Sequence, residues 1–352
     1  MPDDFATIEG EYLRDLLQQP QALENTLANL QTSKPLLSLA RRLNQGRFRR
    51  VVLTGMGSSF HALHPLTLQL ISRGFTAFMV ETSELVHYKH RLLDSKTLIV
   101  AVSQSGQSAE MVRMVRLIQT SRQRSPVIAV TNTPGSPLAR HSTAAVLTDS
   151  GKEFSVSCKT YVSSLMALNW LGDVLCEGDL RRSLQRLKHA GPAAAAYLVH
   201  WKDYVQQLAE VLKNTRHLFL VGRGSSLASV GTGALIVKES DHFHAEGMSS
   251  AAFRHGPVEM LGSETFVLIF AGDAKTRNLN QRLLDYIRQK RGRTELVGKK
   301  TSFPCCHLTE HGPCILQILE MLPVQMITLA LALQAGREPG RFTLASKVTT
   351  TE

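Results

Sequence analysis

The stretch IVAVSQSGQSAEMVRMVRLIQ, residues 99–119, passes from an apolar run through a hydroxyl-rich segment into apolar residues at helical spacing. An apolar run of this length predicts a strand buried on both faces, which is typical of parallel sheets covered by helices. In such sheets, ligands lie beyond the carboxyl ends of the strands, where loops lead into helices. The segment from Ser103 to Ser108 has this position, so the stretch predicts both a fold class and a binding site.

The hydroxyl-rich segment has the composition of an anion-binding loop. The unpaired N–H groups and positive dipole end of the following helix favour an anion, and serine hydroxyls add donors without bulk. Gly106 allows the backbone to approach a ligand closely. The loop contains no lysine and therefore differs from a P-loop. One serine alone would be explained as a helix N-cap, but Ser103, Ser105 and Ser108 together favour a phosphate.

A second copy of the pattern lies later in the chain. The segments RFRRVVLTGMGSS, residues 47–59, and TRHLFLVGRGSS, residues 215–226, share a basic lead, a short apolar strand and Gly-x-Gly-Ser-Ser. We therefore predict an α/β protein with two tandem, doubly wound parallel-sheet domains of the flavodoxin-like kind. The predicted boundaries are a helical segment at 1–34, domains at 35–190 and 195–340, and a tail at 341–352. Residues 314–336 predict an apolar helix pair broken near Pro323.

Two cofactor interpretations of these motifs are less favoured. Neither glycine-rich loop completes Gly-x-Gly-x-x-Gly, and no clear acidic residue ends the next strand of the second half, so we predict no dinucleotide. The pattern of His242, His244 and Glu246 is His-x-His-x-Glu, but no fourth ligand is apparent. We therefore predict no cofactor and no metal.

The composition of the chain limits the classes of partner and the cellular locations that remain. The chain has 352 residues, 43% of them hydrophobic, and a formal net charge of +11. Its basic clusters carry no interleaved aromatic residues to stack bases, so we expect no nucleic-acid partner. We also expect no membrane partner and a cytoplasmic location, because polar residues interrupt every long apolar run and no signal-peptide pattern is present. The five cysteines lack a metal-site spacing and are interpreted as reduced thiols.

Six motifs, in order along nearly the whole chain, resemble the sugar isomerase (SIS) domain family. They are TGMGSSF, SQSGQSAE, VTNTPGSPLAR, VGRGSSL, KESDHFHAEGMSSAAFRHGP and LASKVTTTE. The chain is similar to the double-domain isomerase module of glucosamine-6-phosphate synthase and to shorter relatives, which include sugar-phosphate isomerases, glucosamine-6-phosphate deaminases and fructosamine-6-phosphate deglycases. The resemblance implies a phosphorylated sugar as ligand, no metal, and a homodimer whose sites are shared between subunits.

The resemblance also implies roles for individual residues. Glu239 matches a catalytic glutamate that moves a proton between neighbouring carbons, and His255 matches a ring-opening histidine. Taken alone, these two would be explained as a salt-bridge partner of Lys238 and a packed loop histidine. Lys347 lies within one residue of a tail lysine that forms a Schiff base or binds an oxygen; a frayed tail is the alternative. The expected phosphate- and substrate-binding residues are Gly57, Ser58, Ser59, Ser103, Gln104, Ser105, Gly106, Ser108 and Ser157.

Departures from the family pattern narrow the expected reaction. No cysteine precedes Cys158, so we expect no glutaminase activity and no ammonia from glutamine. Asp273 follows the matching strand of the second half, so we expect phosphate in the first domain only. We predict an enzyme that isomerises, deaminates or deglycates an amino-sugar or fructosamine 6-phosphate. The alternative is a non-catalytic, phosphosugar-binding regulatory protein.

Overall fold

The structure is a computed structural model that describes residues 5–301, 303–309, 312–344, 346–349 and 351. The strands are β1 Arg50–Gly55, β2 Ala77–Glu81, β3 Thr97–Val102, β4 Val127–Thr131, β5 Ala144–Leu147, β6 His217–Gly222, β7 Ala245–Ser249, β8 Thr265–Phe270 and β9 Arg293–Val297. The α-helices are α1 Glu11–Leu17, α2 Gln19–Asn29, α3 Lys34–Asn44, α4 Gly57–His61, α5 His64–Ser72, α6 Thr82–His87, α7 Ala109–Thr120, α8 Pro137–His141, α9 Lys159–Leu175, α10 Leu180–Leu187, α11 Ala190–Leu198, α12 Trp201–Val211, α13 Leu227–Asp241, α14 Ser250–Phe253, α15 Arg277–Gln289 and α16 Pro313–Ala335.

The first sheet is parallel throughout, with strand order β2-β1-β3-β4-β5. This order is that of flavodoxin-like folds, and β3 is buried at every position. The strand order reverses between β1 and β3, where Thr54 is paired with Ala101. The first glycine loop and the hydroxyl-rich loop therefore leave the sheet side by side, at the point where such folds bind ligands.

The second sheet repeats this arrangement with one strand fewer. Its order is β7-β6-β8-β9, and all three strand pairs are parallel. The reversal now lies between β6 and β8, where Val221 is paired with Ile269. The predicted fold class, two tandem parallel α/β domains, is confirmed.

The chain divides into two compact units that interleave along the sequence. The first-sheet unit comprises residues 21–152, 159–188 and 345–352, and the second-sheet unit comprises residues 1–20, 153–158 and 189–344. Loop 153–158 belongs to the second-sheet unit because it is bonded to other segments of that unit. The Asp15 carboxylate accepts a hydrogen bond from the Phe154 N–H at 2.8 Å, and the Ser155 hydroxyl donates to the Gly340 carbonyl at 2.6 Å.

Helix α16 corrects the prediction of two helices broken near Pro323. It is continuous from Pro313 to Ala335, with Pro323 in its interior. An interior proline costs a helix about 3 kcal/mol, and burial of α16 against α11, α12 and α13 offsets that cost. The segment Cys314–Ala335 is long enough to span a membrane, and its most apolar 18-residue window has a mean hydropathy of 1.8, but 89% of that window is buried inside the protein. Core helices commonly meet these criteria, so the segment is weak evidence for a membrane span.

Candidate functional site

The hydroxyl-rich loop between β3 and α7 closes on itself through two serine side chains. The Ser103 Oγ accepts a hydrogen bond from the Gly106 N–H at 3.0 Å, and the Ser105 Oγ accepts one from the Gln107 N–H at 3.4 Å. Gly106 has a φ of +63°, which a non-glycine residue seldom adopts. Both serines are buried. Because each oxygen accepts from the backbone, its own O–H group can donate to an anion.

The carbonyl groups of this loop are bonded to the segment that follows β4. The Gln104 carbonyl accepts hydrogen bonds from the Thr131 hydroxyl and the Asn132 N–H, each at 3.1 Å. The Gly106 carbonyl accepts one from the Leu138 N–H, also at 3.1 Å. These bonds direct two of the loop's carbonyl groups toward the segment after β4. The support that this segment gives to the hydroxyl-rich loop is a finding of the structure.

Ser108 is the N-cap residue of α7. Among the described residues, its hydroxyl finds no partner for a capping hydrogen bond. The N-cap explanation therefore does not account for this side chain. At the first residue of α7, the Ala109 N–H donates to the Thr349 carbonyl at 3.1 Å. This bond brings the tail that carries Lys347 to the same loop, in the first-sheet unit.

The first glycine loop packs tightly against the end of β3. A Cβ atom added to Gly55 would lie 3.0 Å from the Ser59 carbonyl carbon and 3.0 Å from the Val102 carbonyl oxygen. Gly57 begins α4 with a φ of +52°. Ser58 and Ser59 are half-buried. The structure therefore brings the two predicted phosphate-binding loops together at one edge of the first sheet.

The other predicted site residues belong to the second-sheet unit. Glu239 is half-buried near the end of α13, where the Arg337 guanidinium donates to the Asp241 carbonyl at 2.9 Å. Burial raises the pKa of the Asp241 carboxyl, and Arg337 opposes that rise. His255 follows α14 and is exposed. Its backbone N–H donates a hydrogen bond to the Ala252 carbonyl at 2.9 Å. Ser157 is half-buried within loop 153–158.

The His-x-His-x-Glu pattern lies at the end of α13 and the start of β7. His242 ends α13 with a φ of +51°. The Nδ1 of His244 lies 3.1 Å from the Nδ1 of His217, and its Nε2 lies 3.6 Å from the Glu246 carboxylate. Within the described part of the chain, no three histidine, cysteine or acidic side chains are grouped to hold a metal ion.

Two regions of the chain, residues 47–172 and 211–333, match the family model of the SIS domain. The chain belongs to the SIS domain family. The resemblance found in the sequence is thereby confirmed, and the two matches correspond to the two sheets of this SIS protein.

Relatives of this SIS protein include enzymes that handle phosphorylated sugars. The chain is 25% identical over 357 residues to glutamine--fructose-6-phosphate aminotransferase [isomerizing] of Thermococcus kodakarensis, a match that covers 97% of this chain and 58% of that protein. It thus spans less than two thirds of that relative's length. The structure of the C-terminal domain of glucosamine-fructose-6-phosphate aminotransferase from Francisella tularensis has a TM-score of 0.83 at 19% identity, covering 95% of this chain and 98% of that one. Glucosamine-6-phosphate deaminase from Thermotoga maritima has a TM-score of 0.72 at 17% identity, covering 96% and 99%. At these identities the two structures establish the fold alone.

One notable residue of the SIS protein was missed from sequence. Glu320 of α16 is buried beside the second glycine loop, where the Ser226 hydroxyl donates to its Oε1 at 2.7 Å and the Ser229 hydroxyl to its Oε2 at 3.1 Å. Burial, with a smaller contribution from the nearby Asp273, raises the pKa of Glu320 to about 8, against the effect of these two hydrogen bonds. The sequence does contain a signal for this residue, because Glu320 is the single acidic residue within the apolar run 314–336.

Proposed function

We propose that this SIS protein is an enzyme that binds an amino-sugar or fructosamine 6-phosphate and interconverts its aldose and ketose forms, with or without release of the amine. The observation that carries the proposal is the donor-rich loop at the strand-order reversal of the first sheet. Its serine hydroxyls, together with the N-terminus of α7, match a phosphate monoester in charge and hydrogen-bonding chemistry. The proteins to which the chain is similar include an isomerising aminotransferase and a deaminase, and both are named for sugars of this class.

The phosphate contacts come from two loops of the first-sheet unit. Ser103, Ser105 and Ser108 donate their hydroxyl protons to phosphate oxygens, and Gln104 and Gly106 present the backbone between them. Gly57, Ser58 and Ser59 of the first glycine loop approach the same edge. The positive end of the α7 dipole stabilises the anion by about 0.3–1 kcal/mol at an exposed site, and more where the site is partly buried.

The proton transfer requires one base that serves two neighbouring carbons. We assign this role to Glu239, whose carboxylate takes the proton from one carbon and returns it to the next. His255 protonates the ring oxygen as the bond from that oxygen to the anomeric carbon breaks, while the anomeric hydroxyl loses its proton and becomes the carbonyl group. Lys347 acts on the open-chain form through its amine, and Ser157 contacts the substrate. These roles rest on the motif positions, and mutagenesis tests each of them.

The substitution E239Q separates catalysis from binding. The wild-type protein is mixed with glucosamine 6-phosphate and with fructosamine 6-phosphates, and fructose 6-phosphate, glucose 6-phosphate and free amine are measured. We expect E239Q to lower turnover by at least about a hundredfold and to keep phosphosugar affinity within about threefold, because an amide has the shape of the carboxyl group but cannot accept the proton. E246Q, a partly exposed carboxyl on β7, is the matched control. If the wild-type protein binds these sugars and turns over none, the enzyme proposal is wrong and the regulatory alternative is favoured.

The proposed homodimer has its own test. If His255 of one subunit serves the Glu239 of another, inactive E239Q and H255N proteins that are co-expressed form hybrid dimers with one intact site. Random pairing then restores about one quarter of wild-type activity, since half of the dimers are hybrids and each has one functional site. Recovery at background level, with hybrid dimers verified by mass spectrometry, would rule out shared sites.

A further inference from the structure

A second cavity lies at the carboxyl ends of β8 and β9, in the second-sheet unit. Its volume is about 510 Å³, within the range of about 300–1,000 Å³ that is typical of small-molecule sites. It is lined by the segments that follow the two strands and by the N-terminal residues of α15 and α16. No residue to which we assign a role in the sugar reaction lines it.

Basic side chains outnumber acidic ones among the described residues that line this cavity. Four basic side chains line it: Lys275 from the turn after β8, Arg277 from the first turn of α15, and Lys299 and Lys300 from the segment after β9. Among the described lining residues the one carboxylate is Asp273. Because these cations come from three separate segments, they surround one space and favour a ligand with more than one negative charge.

Asp273 contributes one negative charge to the described lining, against four positive ones. Its carboxylate accepts hydrogen bonds from the Lys275 N–H at 3.0 Å and the Thr276 N–H at 3.3 Å, so it closes its own turn. The expectation that the second domain holds no phosphate rested on this carboxylate alone. The four basic side chains were outside that argument, because Lys299 and Lys300 follow a strand that was not predicted.

The remaining lining of the cavity is largely apolar. Leu296 and Val297 of β9 and Leu308 are buried, and Leu316 comes from the start of α16. An adjoining hollow of about 320 Å³ shares Lys299 and Lys300. The two lysines thus line both spaces, and the larger space also has an apolar lining, an arrangement that fits a ligand with an uncharged body and a chain of phosphates.

We propose that this cavity binds a nucleotide, that is, an aromatic body carrying two or more phosphate groups, at a site distinct from the sugar-phosphate loop. The body lies against the apolar lining at Leu316, which is half-buried, and the phosphates are held by Lys275, Arg277, Lys299 and Lys300. The site does not depend on the proposed sugar chemistry.

The test measures binding of ADP to the full-length protein by titration calorimetry, with adenosine and pyrophosphate as matched probes. Adenosine has the body without the charge, and pyrophosphate has the charge without the body. We expect ADP to bind at least about tenfold more tightly than either. The double variant K299A/K300A should weaken ADP binding at least about tenfold and leave glucosamine 6-phosphate binding within twofold, since charged contacts to phosphate are strong.

The matched control is R282A/K290A, which removes two exposed charges of the α15 region that do not line the cavity. This control variant should bind ADP with an affinity within twofold of the wild-type value. The proposal is overturned if ADP fails to bind at millimolar concentration, if the lysine variant binds it as the wild type does, or if glucosamine 6-phosphate competes with it. Equal affinity for pyrophosphate and ADP would also overturn it, because the apolar lining would then recognise nothing.

Discussion

The backbone N–H of Ala109 donates a hydrogen bond of 3.1 Å to the carbonyl oxygen of Thr349. Ala109 is the first residue of α7, so the tail occupies one of the helix N–H groups that lack an intrahelical partner. The same end of α7 carries the loop that we propose for phosphate. The position of the tail and the occupancy of that loop are therefore physically linked, and Lys347 lies two residues from the bond.

The tail lysine is tested by K347M. We expect turnover to fall at least about tenfold with inorganic phosphate affinity within twofold, because the side chain acts on the open-chain sugar and not on the ester. The variant K347R distinguishes the two chemistries: an arginine can bind an oxygen but cannot form a Schiff base. S346A is the neighbouring control. Unchanged turnover in K347M would show that the tail is frayed during the reaction.

Gly106 provides a prediction about backbone shape. An added Cβ would meet the Ser136 hydroxyl at 2.2 Å, and the positive φ of Gly106 disfavours any side chain. We expect G106A to lower phosphate affinity at least about tenfold and to destabilise the fold by about 1–3 kcal/mol. The control is G135A, since an added Cβ there meets nothing within 4 Å. Calorimetry with inorganic phosphate and urea unfolding measure the two effects.

Two serines of the same loop should behave differently on substitution. In S103A the buried N–H of Gly106 loses its acceptor, at a cost of about 1–3 kcal/mol in unfolding free energy. In S108A no capping bond to the described residues is lost, so stability should change by less than about 0.5 kcal/mol while phosphate affinity falls several-fold. A similar loss of stability in both variants would contradict the assignment of Ser108 to the ligand.

Glu320 predicts a pH dependence of stability. Its pKa in the folded protein is raised from 4.5 to about 8, so between these values the folded state keeps a proton that the unfolded state has lost. Raising the pH through this interval therefore destabilises the fold. We expect E320Q to show a weaker dependence of stability on pH, because its amide does not titrate. Above pH 8 it should be more stable than the wild type, because the amide can donate to one of Ser226 and Ser229 and accept from the other.

The pH prediction is checked by urea unfolding of wild type and E320Q at several pH values between 5 and 9. E210Q, an exposed carboxyl of α12, is the control and should follow the wild-type curve. Parallel curves for E320Q and wild type would show that Glu320 titrates at an ordinary pH.

The strands that could be predicted from sequence are those whose signal lies within one segment. The strands β1, β3, β6 and β8 are apolar runs beside turn-forming residues, and each was predicted from its own segment. Three strands, β2, β7 and β9, were not. The case of β7 shows why: an added Cβ at Gly247 would lie 2.5 Å from the Val230 carbonyl of α13, so close packing of a helix excludes the large side chains by which strands are recognised.

Local chemistry allowed the hydroxyl-rich loop and the family to be identified from the chain alone, because the loop's closing hydrogen bonds join residues two or three positions apart. The packing of distant segments decided the rest. It brought Thr349 to Ala109, bonded loop 153–158 to Asp15 and Gly340, buried Glu320 beneath the second glycine loop, and kept α16 continuous through Pro323. These contacts join residues that are remote in the chain, so they cannot be predicted from a pattern within one segment. Only the folded protein determines which distant groups meet.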